Sequence, residues 1–175
     1  MNASMPSEWH DFYVLLGTAS AALVALLFVA VSVGATLIST DRSTATRTFM
    51  SPVVFHYSSI LLLSLIALIP NLTAPALAFA VALLAAIGMV YTTIVMIGLA
   101  RASISDAADR FGYGLLPLAA YLGMLAAAGL TFVEKPLSAD ILAGSLLLLL
   151  AVNIRNACDL LLAFARRIAN QRPGP

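Results

Sequence analysis

Residues 76–100 read ALAFAVALLAAIGMVYTTIVMIGLA, a stretch without a single charged side chain. An α-helix rises about 1.5 Å per residue, so about 20 apolar residues are enough to cross the ~30 Å hydrocarbon core of a bilayer. This stretch therefore predicts a transmembrane helix.

Four other segments follow the same pattern, so that five apolar runs stand out: residues 12–38, 52–69, 76–100, 115–133 and 141–165. Each run has at least 18 residues and qualifies as a membrane-spanning helix. The connections are short, and they contain turn residues such as Pro70, Asn71 and Pro75 without a Gly/Ser linker or an internal repeat. The sequence predicts an all-α membrane protein in which residues 1–175 form one bundle of five transmembrane helices.

The composition supports the same class of protein. Hydrophobic residues make up 62% of the chain and charged residues 10%, whereas soluble domains have roughly 45–50% and about 25%. A formal net charge of +1 offers no basic surface for nucleic acid, and the single cysteine excludes a disulfide framework. Because the two histidines and the cysteine are far apart in the sequence, neither a metal site nor a cofactor is expected.

The arginines predict the orientation, because cytoplasmic loops carry an excess of Lys and Arg. The arginines of the first connection, the third connection and the C-terminal tail fall on one side: Arg42, Arg47, Arg101, Arg110, Arg166, Arg167 and Arg172. Lys135 is the one basic residue on the other side, and the segment before the first helix has none. The N-terminus is therefore expected outside and the C-terminus in the cytoplasm, with the first helix retained as an anchor.

Small residues four positions apart predict where helices touch, because association in lipid depends on close packing. Such stripes occur in the first helix (Gly17, Ala21, Ala25) and in the fourth (Ala119, Gly123, Ala127). They can serve packing inside the bundle, which we favour, or contact between chains. Residues 146–150 are all leucine, and this run is expected to form a lipid-facing or loosely packed surface.

The fifth helix carries the most polar intramembrane segment, which contains Asn153, Arg155, Asn156 and Asp159. Arg155 and Asp159 are four residues apart and so lie on one helical face. Counted from residue 141, Arg155 is expected about 9 Å inside the cytoplasmic boundary, where a charge needs a partner. The cluster can fix the helix register, which is the more conservative interpretation, or it can line a hydrated pathway for an ion, a proton or a small solute.

The two histidines are predicted at opposite membrane faces. His56 lies near the cytoplasmic boundary at a depth similar to Asp159, so the two side chains can meet; a relay role is the alternative to plain interfacial hydrogen bonding. The outer end of the first helix holds Glu8, Trp9, His10 and Asp11, residues that suit an interfacial helix start. One chain therefore cannot use both histidines to bind a haem.

No enzyme motif is visible. The sequence lacks a Gly-x-Ser-x-Gly setting, a His-Glu-x-x-His pair, a phosphate-binding glycine loop and a pair of intramembrane aspartates. An enzymatic activity is therefore not expected.

Three segments resemble a known group of proteins. These are Trp9-His10-Asp11-Phe12-Tyr13, the run from Ala19-Ser20-Ala21-Ala22-Leu23 to Leu26-Leu27-Phe28-Val29-Ala30-Val31-Ser32, and Asn156-Ala157 before Leu160-Leu161. They look like those of small bacterial multi-span inner-membrane proteins without an established activity, some of which carry the label of modulators of a membrane-bound ATP-dependent protease. The resemblance implies a bacterial inner-membrane location and a role for Trp9, His10, Phe12, Ser20 and Asn156.

These observations lead to two functional hypotheses. The first is a homo-oligomeric conduit for ions, protons or a small solute, because a symmetric ring can build a pathway from one polar face per subunit. The second is a non-enzymatic interaction module that binds a membrane protease or another membrane complex. In both hypotheses the lipid bilayer is a partner and nucleic acid is not.

Overall fold

The computed structural model describes residues 8–37, 43–101 and 111–171, and every regular element within these ranges is helical. The long helices are α1 (Glu8–Leu37), α2 (Ser43–Ala67), α3 (Ala74–Arg101), α4 (Leu116–Phe132) and α5 (Leu137–Gln171). A π-helical turn, Phe111–Leu115, runs directly into α4. The prediction of an all-α chain is confirmed, and each of the five apolar runs lies largely on one helix.

Four helices contain segments that are long and apolar enough to cross a membrane: Trp9–Ala30, Ala74–Gly98, Gly112–Phe132 and Leu137–Leu162. The apolar part of α2, Pro52–Ala67, is shorter than these segments. The sequence placed the end of this run at residue 69, but α2 ends at Ala67 because Leu68 and Ile69 already belong to the following turn. The chain is thus a multi-pass membrane protein with four candidate membrane-spanning segments within the described residues.

Two tight turns join the helices and explain their ends. After α4, the backbone N–H of Lys135 donates to Leu130 O and that of Glu134 to Thr131 O, at 3.1 Å each. This pair of bonds is a Schellman motif, and Glu134 has the positive φ of 55° that the motif requires. Between α2 and α3, Asn71 takes the left-handed conformation with φ 59°, which asparagine tolerates better than most residues. Both turns bring successive helices into antiparallel contact.

The helices pack around a continuous apolar core. α4 packs along α3 and α5, α1 packs chiefly on α2, and α2 joins the two groups through contacts with α5 and α3. The largest fully buried apolar and aromatic side chains are Tyr13, Tyr57, Ile60, Leu63, Tyr121, Met124, Leu146 and Leu149.

The expectation that residues 146–150 form a lipid-facing or loosely packed surface is wrong for part of the run. Leu146 and Leu149 are completely buried, whereas Leu147 and Leu148 are exposed. Residues three apart lie on nearly the same side of a helix, so a continuous leucine run necessarily presents leucines both to the core and to the outside.

The small-residue stripe of α1 divides between the inside and the outside of the bundle. Gly17 is buried against α2, where an added Cβ would lie 3.1 Å from Ser64 Cβ. Ala21 and Ala25 are exposed on the surface of the chain. The exposed sides of these two alanines are therefore open to contact with lipid or with another chain.

The stripe of α4 is mixed in the same way. A Cβ on Gly123 would overlap the Ser145 hydroxyl of α5, so this glycine marks a close helix approach. Ala127 is buried and Ala119 is exposed. The two glycines thus mark contacts inside the chain, whereas half of the six predicted packing residues point outward.

Candidate functional site

The predicted polar residues separate into two groups by burial. Asn153, Asn156 and His56 are at most 1% exposed. In contrast, the side chains of Arg155 and Asp159 are 51% and 53% exposed. The neutral groups therefore lie inside the bundle, and the charged pair lies on its surface.

Asn156 binds the π-helical turn that precedes α4. Its Nδ2 donates to Gly112 O at 3.0 Å, and the hydroxyl of Tyr113 donates to Asn156 O at 3.0 Å. The turn fits closely because its other glycine, Gly114, lies against Met96 of α3 and has no room for a Cβ. Two reciprocal hydrogen bonds thus fix the start of α4 on the face of α5.

Asn153 faces the interior one turn earlier on the same helix. Its Nδ2 donates to Leu149 O at 2.7 Å, a bond within α5. Its Oδ1 is buried without a hydrogen-bond partner among the described residues, and so is Asn156 Oδ1. A buried amide oxygen without a partner costs free energy, so both oxygens are ready to accept a hydrogen bond.

Arg155 and Asp159 form a loose pair on the outer face of α5. Arg155 Nε and Asp159 Oδ2 are 3.7 Å apart, longer than the 2.7–2.9 Å of a direct charge-assisted hydrogen bond. The Arg155 guanidinium also lies beside Gly112, the first residue of the apolar segment Gly112–Phe132, which contains most of the π-helical turn and all of α4. The contact places this guanidinium at the end of that segment.

His56 is part of an aromatic cluster where α2, α3 and α4 meet. A 2.8 Å hydrogen bond joins His56 Nδ1 to the Tyr121 hydroxyl, and Ser59 also interacts with that hydroxyl. Phe55 stacks on Tyr91 with ring centroids 4.2 Å apart, and the His56 ring meets Tyr91 edge to face.

The predicted meeting of His56 with Asp159 is replaced by this cluster. Gly88 of α3 makes room for it, because a Cβ there would overlap the Tyr121 ring. His56 is completely enclosed, whereas Asp159 pairs with Arg155 on the outer face of α5. The histidine therefore links α2 to α4 through its hydrogen bond with Tyr121.

The N-terminal end of α1 carries the second predicted motif. Trp9 packs edge to face on Phe12 with centroids 5.7 Å apart, and Phe12 on Tyr13 at 5.2 Å. His10 Nδ1 lies 3.3 Å from Asp11 Oδ1, and both side chains are largely exposed. Glu8 is the first residue of the helix. This arrangement is typical of an interfacial aromatic anchor with polar groups facing the headgroups.

The two histidines are far apart along the bundle. α1 and α2 form a hairpin in which Gly17 contacts Ser64, so residues before Gly17 lie toward one end and residues before Ser64 toward the other. At 1.5 Å per residue, the backbones of His10 and His56 are separated by about 20 Å along the helix axes. They therefore occupy different ends of the hairpin.

Sequence reasoning missed several residues of these sites, among them Gly88, Gly112, Tyr113 and Tyr121. Glycines inside apolar helices mark close approaches, and a tyrosine hydroxyl in such a helix needs a partner. Both signals were present, but they do not say which helix supplies the partner. Of the arginines used to predict orientation, Arg42, Arg110 and Arg172 lie outside the described residues.

A comparison of the chain with protein-family models, curated proteins and solved structures finds no match. The functional argument therefore depends on the geometry of these side chains.

Proposed function

We propose that this protein is a bacterial inner-membrane protein that self-associates and forms a conduit for ions, protons or a small solute. The Arg155–Asp159 face of α5 lines the conduit in each subunit. The observation that carries this proposal is the half-exposed position of both charges on the surface of a membrane-embedded bundle.

A charged pair on such a surface favours a covering partner. An unpaired Arg or Asp at the centre of a membrane helix costs about 2.5–3.5 kcal/mol, and the cost decreases toward the headgroups and with pairing. Arg155 lies beside Gly112, the first residue of the apolar segment Gly112–Phe132, so a ring of subunits would place these charges near one mouth of a shared pathway. Rings of charged side chains at such positions select ions by sign.

The proposal includes five membrane crossings, with the N-terminus outside and the C-terminus in the cytoplasm. The short apolar part of α2 is compatible with a crossing because α1, α3 and α5 pack against this helix. Five crossings put the termini on opposite sides. The excess of arginine in the first and third connections and in the tail then favours a cytoplasmic C-terminus.

Flux and native mass measured on the same preparation test the proposal. Purified wild-type protein should give an oligomer in mild detergent, and its proteoliposomes should pass ions or protons that empty vesicles do not pass. Arg155→Leu should abolish the flux or change its ion selectivity. Lys135→Leu removes an exposed charge from the turn at the other end of α5, so it is the matched control and should leave the flux unchanged. A monomer without flux over a range of ions and pH would overturn the proposal.

A second candidate is an interaction module for a membrane protease or another membrane complex, and α1 favours it. This helix packs chiefly on α2, and its small residues Ala21 and Ala25 remain exposed. Small exposed residues permit another helix to approach closely. The module predicts a partner that is recovered by in-membrane cross-linking and lost in Ala21→Leu, together with normal behaviour of Arg155→Leu. Gly123→Leu is a poor probe of this surface, because Gly123 contacts Ser145 inside the chain.

A further inference from the structure

Gly112 lies where the π-helical turn meets α5, and two polar groups of α5 point at its Cα. A Cβ built on Gly112 would lie 3.2 Å from Arg155 Nη1, 3.2 Å from Asn156 Oδ1 and 3.8 Å from Arg155 Cζ. A Cβ at this position would therefore require the guanidinium, the amide or both to shift by a few tenths of an ångström. The bare Cα of Gly112 provides the space in which they sit.

The turn cannot simply move away from α5. Gly112 O accepts the bond from Asn156 Nδ2, and Tyr113 on the same turn donates to Asn156 O. Asn156 and Tyr113 are buried, at 1% and 6% exposure, so water does not readily replace these bonds. Asn156 thus holds Gly112 at a fixed distance from α5.

The guanidinium itself is weakly held by its own helix. Its contact with Asp159 is 3.7 Å long and half exposed, and such surface pairs contribute little. Asn156 Oδ1, buried and without a partner in the described part of the chain, lies on the same side of Gly112 as Arg155 Nη1. The guanidinium and this oxygen thus share the space beside the Cα of Gly112, although no hydrogen bond joins them.

We infer that Gly112 and Asn156 are positioning residues that seat the Arg155 guanidinium on the π-helical turn. The inference deepens the proposed conduit, on which it rests for its functional consequence. With the guanidinium seated at Gly112, its charge stays at a defined place at the mouth of the pathway and sets the preference between anions and cations.

A double-mutant cycle tests whether Gly112 seats the Arg155 guanidinium, a hypothesis called the seat below, without any measurement of flux. Gly112→Ala should lower the midpoint of thermal unfolding in detergent, and at least half of that loss should disappear in the Arg155→Ala background, where the guanidinium is absent. Gly129→Ala is the matched control, because Gly129 is a glycine of α4 with open space around its Cα. Its effect should be small and the same in both backgrounds.

Ion flux is the second measurement. Its selectivity should not change if Gly112 has only a structural role. Gly112→Ala should shift the anion-to-cation permeability ratio in the same direction as Arg155→Ala, and the double variant should equal Arg155→Ala. If Gly112→Ala does not fold alone, rescue of folding by Arg155→Ala supports the seat, and failure of rescue overturns it.

The possible results separate the seat from the conduit. An equal loss of stability with and without Arg155 overturns the seat. Coupling between the two positions in a protein that passes no ion supports the seat and overturns the conduit. Flux that responds to Arg155→Ala but not to a folded Gly112→Ala supports the conduit and overturns the seat.

Discussion

The polar side chains on the inner and outer faces of α5 differ in burial and in their partners. On the inner face, Asn153 and Asn156 are buried and bond to backbone carbonyls, one on their own helix and one on the turn before α4. On the outer face, Arg155 and Asp159 are half exposed and loosely paired. Asn156 follows Arg155 directly in the chain, so one residue step of about 100° separates the two environments.

The difference shows which groups are available for function. A neutral amide inside a bundle can be satisfied by a carbonyl, so it serves packing and register. A charged group is cheaper on the surface, where it can reach headgroups, water or another chain. The single polar cluster of the sequence thus faces two different environments, and variants on each face should behave differently.

The largest effect is expected on the inner face, for Asn156→Leu. The substitution removes the bond to Gly112 O and leaves this carbonyl without its partner, which costs about 1–3 kcal/mol of unfolding free energy. Equilibrium unfolding in mixed micelles measures the loss. Ile154→Leu, at an exposed position two residues earlier, is the control and should change little. Equal effects of the two variants would show that the contrast between the faces has no energetic basis.

The next largest effect is expected in the aromatic cluster. Tyr121→Phe removes the hydroxyl that bonds His56 and should cost about 1 kcal/mol, the usual net contribution of one hydrogen bond. Tyr57→Phe is the control, since the buried Tyr57 hydroxyl has no hydrogen-bond partner among the described residues and its removal should be neutral or stabilising. A destabilisation by Tyr57→Phe as large as that by Tyr121→Phe would mean that the 2.8 Å bond does not contribute.

A smaller effect is expected for Tyr113→Phe on the π-helical turn. The hydroxyl bonds Asn156 O, which also belongs to the backbone ladder of α5, so its loss should cost only about 0.5 kcal/mol. Thr18→Val removes an exposed hydroxyl that bonds within its own helix and should cost less still. A loss for Tyr113→Phe above that for Asn156→Leu would reverse the ranking and make the tyrosine the main link between the turn and α5.

Hydropathy was enough to predict the helices, because polar groups are costly in lipid at every position of a membrane span. The ends of the helices were less predictable. α2 stops at Ala67 because the backbone turns at Leu68 to Asn71, although Leu68 and Ile69 are as apolar as the helix itself. Local hydropathy does not contain this information.

The candidate site was predicted as a set of residue types but not as contacts. The sequence indicated that Arg155 and Asp159 share a face, since four-residue spacing fixes this within one helix. It could not indicate that His56 pairs with Tyr121, because that pairing depends on how α2 and α4 pack on α3 and on the space left by Gly88. Contacts between helices are decided by packing, which a single sequence encodes only indirectly.

The smallest effect on stability, and the sharpest test of the outer face, is expected for Asp159→Asn. An exposed i,i+4 pair contributes only about 0.3–0.5 kcal/mol, so unfolding in mixed micelles should hardly change. The ion preference should change more, because each subunit loses a negative charge beside a retained guanidinium, which favours anions in a conduit lined by this face. Reversal potentials of proteoliposomes under a salt gradient measure the preference, with Lys135→Leu as the control. A stability loss above 1 kcal/mol would instead indicate that the pair holds subunits together, since a charge left alone in a closed interface is costly.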